Sequence, residues 1–361
     1  MDVVAASSAT RSNFDEENCF QISLKNYTLK LVNGFQNTYK GNLYCDFIDF
    51  ALFMTRTEFL LSRIDTTLKG DILFFDFFLR LRQEQRFRTV LSPNLTYEPS
   101  TSAHPGCVYN LSRAELLPLV YKWRVDRVVV ISNTVSSSSP HQQTSHYDFL
   151  CSESGNSCKW TAGGLLTPVC CRRELSKMLT LLFTLAAKRN ITLSAIYGTA
   201  IGLTKVYGIL PWERDGDIEM LMDDAEKLEA LAGEFEKFNF VLYKHSDRLY
   251  KLQTYDWFVE IFLEKRIGSD DYGRALGLRN VTKALLNGIW VPTYHNPSRA
   301  LRNHFSDDIY EHVEHWRAIG ADSSFVQSRT GRFSACEKPG FHGCLDRYLG
   351  VGNVQFMDFL L

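Results

Sequence analysis

Residues 195–220 read AIYGTAIGLTKVYGILPWERDGDIEM, and the end of that stretch decides which folds the chain can adopt. Asp215 and Asp217 stand two apart where the sequence alternates and then runs apolar, as a strand does. Both carboxylates therefore project to one face. Two anions held that close repel each other unless something positive bridges them. A divalent ion with phosphate oxygens is the natural bridge, because Mg2+ takes a few carboxylates plus substrate phosphates. Asp-x-Asp alone is common at solvated strand ends. What singles out this pair is Gly198-Thr199 upstream, at a strand-to-helix turn where backbone N–H groups and a hydroxyl can meet phosphate.

The flanks agree on an α+β domain. Residues 172–189 place Leu175, Met178, Leu179, Leu182 and Leu185 on one helical face. A short strand at 191–197 follows. Beyond the Asp-x-Asp strand, 223–238 reads as one amphipathic helix burying Leu228, Leu231, Phe235 and Phe238, with Asp223 or Asp224 as its cap. Residues 240–244, 249–254 and 257–263 read as consecutive strands, so helices alternate with a small mixed sheet.

Upstream the pattern is less regular. Residues 71–78 read as one of several short, aromatic-rich strands, and 123–132 (WRVDRVVVIS) as a buried strand. Residues 96–106 and 135–145 (VSSSSPHQQTS) read as loops. The expected division is a disordered start at 1–20, a β-rich or mixed accessory domain at 21–133, and a linker with a Cys-rich loop at 134–169. A catalytic-type domain at 170–345 and a tail at 346–361 complete it.

The 361 residues carry a net charge of -1, which gives no basic footprint for nucleic acid. Nine cysteines and five Asn-x-Ser/Thr sequons, at Asn26, Asn94, Asn110, Asn190 and Asn280, point to the secretory pathway. Residues 1–15 are polar and show neither signal peptide nor anchor, so the expectation is a Golgi-lumen protein whose targeting segment lies outside this chain, with a cytoplasmic protein as the alternative.

The stretch also resembles a known family. The LicD phosphocholine transferases, fukutin and fukutin-related proteins carry a pattern like YGTLLGAxRxxGxIPWDxDxD. Tyr197, Gly198, Thr199, Gly202, Gly208, Pro211, Trp212, Asp215 and Asp217 fall in register with it. Lys205 stands where Arg is usual, Glu213 where Asp is usual, and Gly216 where a β-branched residue is usual, which loosens the strand between the carboxylates. Residues 257–264 (WFVEIFLE) resemble the family's third-acid strand, with Glu260 in the Asp position and Asp256 as a substitute.

The resemblance spans residues 170–305 and implies a nucleotidyltransferase-type, polymerase-β-like domain. In such domains the Gly-Thr turn precedes the Asp-x-Asp strand in this order. Asp215, Asp217 and Glu260 would hold Mg2+ (or Mn2+), while Gly198, Thr199, Lys205, Arg299 and Arg302 would hold donor phosphate. His295 and His304 are further candidate contacts. The implied reaction moves choline, ribitol or glycerol phosphate from a CDP-linked donor to a glycan or glycoprotein hydroxyl. Two other readings stand beside it: another nucleotidyltransferase on the same fold, and an inactive secreted binding protein.

Cys151, Cys158, Cys170 and Cys171, with His146 nearby, form a local constellation. Adjacent cysteines bond each other poorly. Two disulfides or a structural Zn2+ site both suit the set, and fukutin-related protein resembles the second arrangement. Cys336 and Cys344 look like a small disulfide loop.

Overall fold

The computed structural model describes residues 3–8, 19–35, 38–39, 42–48, 52–84, 89–97, 111–136, 139–158, 165–210, 213, 215–268, 282–305, 338 and 340–344. The chain forms two compact units, Met1–Asn156 and Ser157–Leu361. Both are mixtures of helices and sheets, as an α+β reading requires.

The first unit holds two five-stranded sheets. Thr38–Tyr39, Asn42–Cys45, Thr89–Tyr97, Val3–Ser8 and Leu52–Thr55 lie side by side in one, so part of the N-terminus expected to be disordered is a strand. In the other the order is Ser139–Asp148, Arg127–Ser136, Thr28–Asn33, Cys19–Lys25 and Phe47–Ile48. The strands Cys19–Lys25 and Thr28–Asn33 are joined by a two-residue turn in which Asn26 (φ 52°) and Tyr27 (φ 61°) both take the left-handed backbone that tight hairpins need.

Two readings of this unit are corrected. Residues 71–78 belong to the helix Asp71–Glu84, not to a strand. The helix is fourteen residues long and buries Phe75, Phe77, Phe78 and Leu79 against both strand and helix neighbours, while Phe74 on its outer side stays 42% exposed. That length exceeds an ordinary strand and suits a helix. Asp76, fully buried, is tolerated because Trp123 Nε1 (2.7 Å), Lys122 Nζ (2.7 Å) and Arg80 Nε (2.9 Å) all donate to it. Residues 135–136 and 139–145, expected as loop, are strand instead: Arg127–Ser136 pairs antiparallel with Ser139–Asp148, running from Ser136↔Ser139 to Arg127↔Asp148. The strand read at 123–132 starts only at Arg127, because the helix Arg113–Trp123 runs up to it and ends on Arg124 at φ 54°.

The second unit carries the segment quoted first. Its strands are β1 (Leu193–Ala195), β2 (Gly216–Leu221), β3 (Val241–Ser246), β4 (Leu249–Gln253), β5 (Phe258–Glu264), β6 (Thr282–Leu286) and β7 (Ile289–Thr293). Its helices are α1 (Val169–Lys188), α2 (Tyr197–Val206), α3 (Ala225–Glu229), α4 (Ala232–Glu236) and α5 (Pro297–Phe305). They build a mixed seven-stranded sheet in the order β3-β4-β5-β2-β1-β7-β6, with β2 parallel to β5 and β1 parallel to β7.

Burial alternates strictly along β2 and β5. One face, with Ile218, Met220, Val259 and Ile261, is sealed, while α1 buries Leu175, Met178, Leu179 and Leu182. The other face, with Asp217, Glu219, Glu260 and Phe262, is half-open.

The single helix expected at 223–238 is instead a 3-10 turn, Met222–Asp224, followed by the two short helices α3 and α4. Phe238 is 55% exposed rather than buried. Asp224 caps nothing with its side chain; it accepts the Thr192 N–H at 2.8 Å and pairs with Lys227 at 2.6 Å, tying the turn to the chain entering β1. Cys336 and the tail at 346–361 lie outside the described residues. Among the described residues no helix is long and apolar enough to cross a membrane.

Candidate active site

The site is assembled where β1 hands the chain to α2 beside β2. The Ile196 N–H donates to the Asp217 carbonyl at 3.0 Å. Tyr197 turns the backbone at φ 42°, an uncommon conformation for a bulky residue. The next two residues then face Asp217. Gly198 N–H donates to Asp217 Oδ2 at 3.2 Å, and the Asp217 N–H donates to Thr199 Oγ1 at 2.8 Å. The Gly-Thr turn and the Asp-x-Asp strand are thus one hydrogen-bonded unit.

Register brings in the third acid. In the parallel pair of β2 and β5, Asp217 stands opposite Glu260. Burial pushes the Asp217 carboxyl well above the ordinary carboxylate range; the charges of Asp215 and Glu260 push it further, and the hydrogen bonds from Gly198 and Thr199 pull it back only in part. The other two acids named from the sequence, Asp215 and Glu260, therefore both act on Asp217. Asp256 is not among the groups that act on Asp217: it is exposed at the entry to β5, where its charge, after burial, raises the proton affinity of Glu174.

The glycines carry steric information. A Cβ on Gly198 would lie 2.6 Å from Glu213 Oε2 and 3.2 Å from Asp217 Oδ2, so Glu213 is a fourth carboxylate packed against the turn. It went unnamed as a site residue, although Glu213, Asp215, Asp217 and Glu219 follow one another at every second position. A Cβ on Gly216 would meet Leu179 Cδ2 and Val259 Cγ2, each at 3.1 Å. Gly216 is where α1 and β5 close in on β2, which gives its missing side chain a packing reason.

Other candidates spread around this centre. Leu175, Leu179, Gly198, Thr199, Glu213 and Asp215 line one depression. Lys205 is only 3% exposed, in the last turn of α2. On α5, Arg302 is exposed and Arg299 half-buried, while the His304 ring lies 4.7 Å from the Tyr197 ring. The Tyr294 hydroxyl accepts the Tyr197 N–H at 3.3 Å. Burial, with the charges of Glu219 and Asp217 among its neighbours, raises its proton affinity far beyond the phenol range, so it stays protonated. Glu219 accepts the Gly268 N–H at 2.5 Å, and Lys251 Nζ meets Glu260 Oε1 at 2.9 Å.

The seven described cysteines are oxidised. Cys19–Cys45 and Cys158–Cys171 are disulfides, and Cys151, Cys170 and Cys344 are disulfide-bonded as well. Bonds of this kind point away from the cytosol. Of the four cysteines named for zinc, Cys158 and Cys171 are joined to each other, and Cys151 and Cys170 are disulfide-bonded too. His146 is exposed on the strand Ser139–Asp148. A sulfur in a disulfide is not a thiolate, so this group would hold metal only when reduced.

No family model matches the chain, and no curated protein matches it.

Proposed function

We propose that the second unit is a metal-dependent phosphotransferase of the LicD and fukutin-related kind, on a nucleotidyltransferase-type fold. It would move a phosphorylated choline, ribitol or glycerol from a CDP-linked donor to a glycan hydroxyl. One observation carries the reading: Asp217 is fastened to the Gly198-Thr199 turn while Asp215 and Glu260 crowd it with negative charge. The element order through β2, with its helices between strands, supports the same fold.

Burial first, and then the charges of Asp215 and Glu260, hold a proton on Asp217, and these hard oxygen donors suit a hard divalent ion in that proton's place. Asp215, Asp217 and Glu260 would hold it, and it would neutralise charge on the transferring phosphate and the departing CMP. The chain's own groups do the rest. The Thr199 hydroxyl, already accepting from Asp217, has its proton to give to a phosphate oxygen. Lys205, in the last turn of α2, would supply positive charge to the donor phosphates together with Arg299 and Arg302 on α5. The acceptor oxygen attacks the β-phosphorus, the bond to CMP breaks, and the acceptor proton passes to a carboxylate.

The disulfides suit a lumenal setting, for which we take the Golgi. The reading of an inactive binding protein draws on the Lys251–Glu260 pair, in which the third acid already has a cation. CMP release from CDP-choline, CDP-ribitol and CDP-glycerol with Mg2+, lost in Asp217→Asn, tests the proposal. No release from any donor in folded wild-type protein would favour the binder.

A further inference from the structure

The metal reading leaves one cation unexplained. Lys251, Glu260 and Asp217 form a row across three neighbouring strands, since Lys251 stands opposite Glu260 and Glu260 opposite Asp217. Lys251 Nζ sits 2.9 Å from Glu260 Oε1, with side chains only 17% and 22% exposed. The same ammonium lies 4.5 Å from the centre of the Phe258 ring, which is two residues before Glu260 on the same half-open face. Ion pair and ring together fix the ammonium in place. An exposed pair would leave the lysine free to swing away.

We infer that Lys251 is a built-in cation that takes the place of a second metal ion, so that the site binds a single divalent ion. Two-metal sites keep their ions about 3.5–4 Å apart by sharing carboxylate oxygens between them. Here one oxygen of Glu260 is bonded to an ammonium, leaving Oε2 as the oxygen a metal can use. A second divalent ion at Glu260 would face a fixed positive charge at contact range in a half-buried setting, where repulsion is weakly screened. Phosphate charge that a second ion would offset is met instead by Lys251. The inference rests on the proposed metal site and specifies its stoichiometry.

Mn2+ titration of the full chain decides it, with free Mn2+ followed by electron paramagnetic resonance and no donor present. Wild type and Lys251→Arg are expected to take one ion per chain. Lys251→Met, and Lys251→Gln as its polar counterpart, should take a second at least tenfold more tightly than wild type does, with folding checked by circular dichroism. Two tight ions in wild type would overturn the inference and leave the metal site standing, as would one ion in a folded Lys251→Met. Zero ions in wild type would overturn the metal site and the inference with it.

Discussion

Alanine at Gly198 is the sharpest test of how the turn and the carboxylates share space. The added Cβ would stand 2.6 Å from Glu213 Oε2 and 3.2 Å from Asp217 Oδ2. Cβ atoms do not approach other heavy atoms closer than 3.0 Å, so the Glu213 carboxylate must yield by at least 0.4 Å, the difference between 3.0 and 2.6. The Asp217 contact needs only a few tenths of an ångström more room. Glu213 is 9% exposed, so it has little free volume to move into. Overpacking of this sort costs about 1–3 kcal/mol, offset by the roughly 0.5–1 kcal/mol that alanine gains over glycine in a helix. The net loss of about 0–2.5 kcal/mol lowers Tm by up to about 10 °C in a unit of this size. The effect on turnover should be larger, because a small misplacement at a reacting centre can cost about 10²-fold. Calorimetry and CMP release measure the two. The double variant Gly198→Ala/Glu213→Ala should recover part of the stability loss, since the atom in the way is gone. A Gly198→Ala protein as stable and as active as wild type would refute the steric reasoning.

Three further outcomes follow from the same geometry. Asp217 holds its proton more tightly folded than its ordinary value of 3.8 allows, so the stability it contributes to the metal-free protein is complete below that value and lost as pH rises through the raised one; denaturant midpoints of wild type and Asp217→Asn that change in parallel with pH would contradict this, because the variant should lack that loss. Gly216→Val, which restores the residue type usual in the resembling family, should destabilise by about 1–3 kcal/mol because of Leu179 and Val259; Leu179→Ala in the same chain should return some of it, and a stabilised Gly216→Val would show that β2 has room. Cys171→Ser opens a loop closed across 13 residues and should cost about 3 kcal/mol by chemical denaturation, while metal analysis of reduced wild type and variant shows whether the thiol group takes zinc.

The parts legible in the sequence were those where a single strand or helix carries the pattern. Asp217 falls on β2 as the strand pattern implies, with Asp215 one residue ahead of the strand, and α1 announces its buried stripe through Leu175, Met178, Leu179 and Leu182. Glu213 escaped because it stands ahead of the strand read from Asp215, although the alternation of acids begins there. Lys251 escaped for a different reason: its place opposite Glu260 is a matter of cross-strand register, and no spacing along one chain encodes which strands pair. The helix Asp71–Glu84 reads locally as a strand because Phe and Ile favour strands, and it is tertiary burial of most of its apolar side chains that favours a helix. The polar hairpin around 135–145 is held by its backbone ladder, to which Ser and Gln contribute no apolar signature.

The hairpin turn at Asn26 sets an order of events for any sugar on this chain. An oligosaccharide-transferring enzyme needs its asparagine amide in the open, and Asn26 is 7% exposed once the strands on either side have paired. A glycan there could be attached only before the first unit closes, and the paired strands would then have no space for it. Asn190, exposed just past the end of α1, stays accessible before and after folding. A sugar on Asn26 would mark chains that missed their fold, whereas one on Asn190 would record only where the chain had travelled.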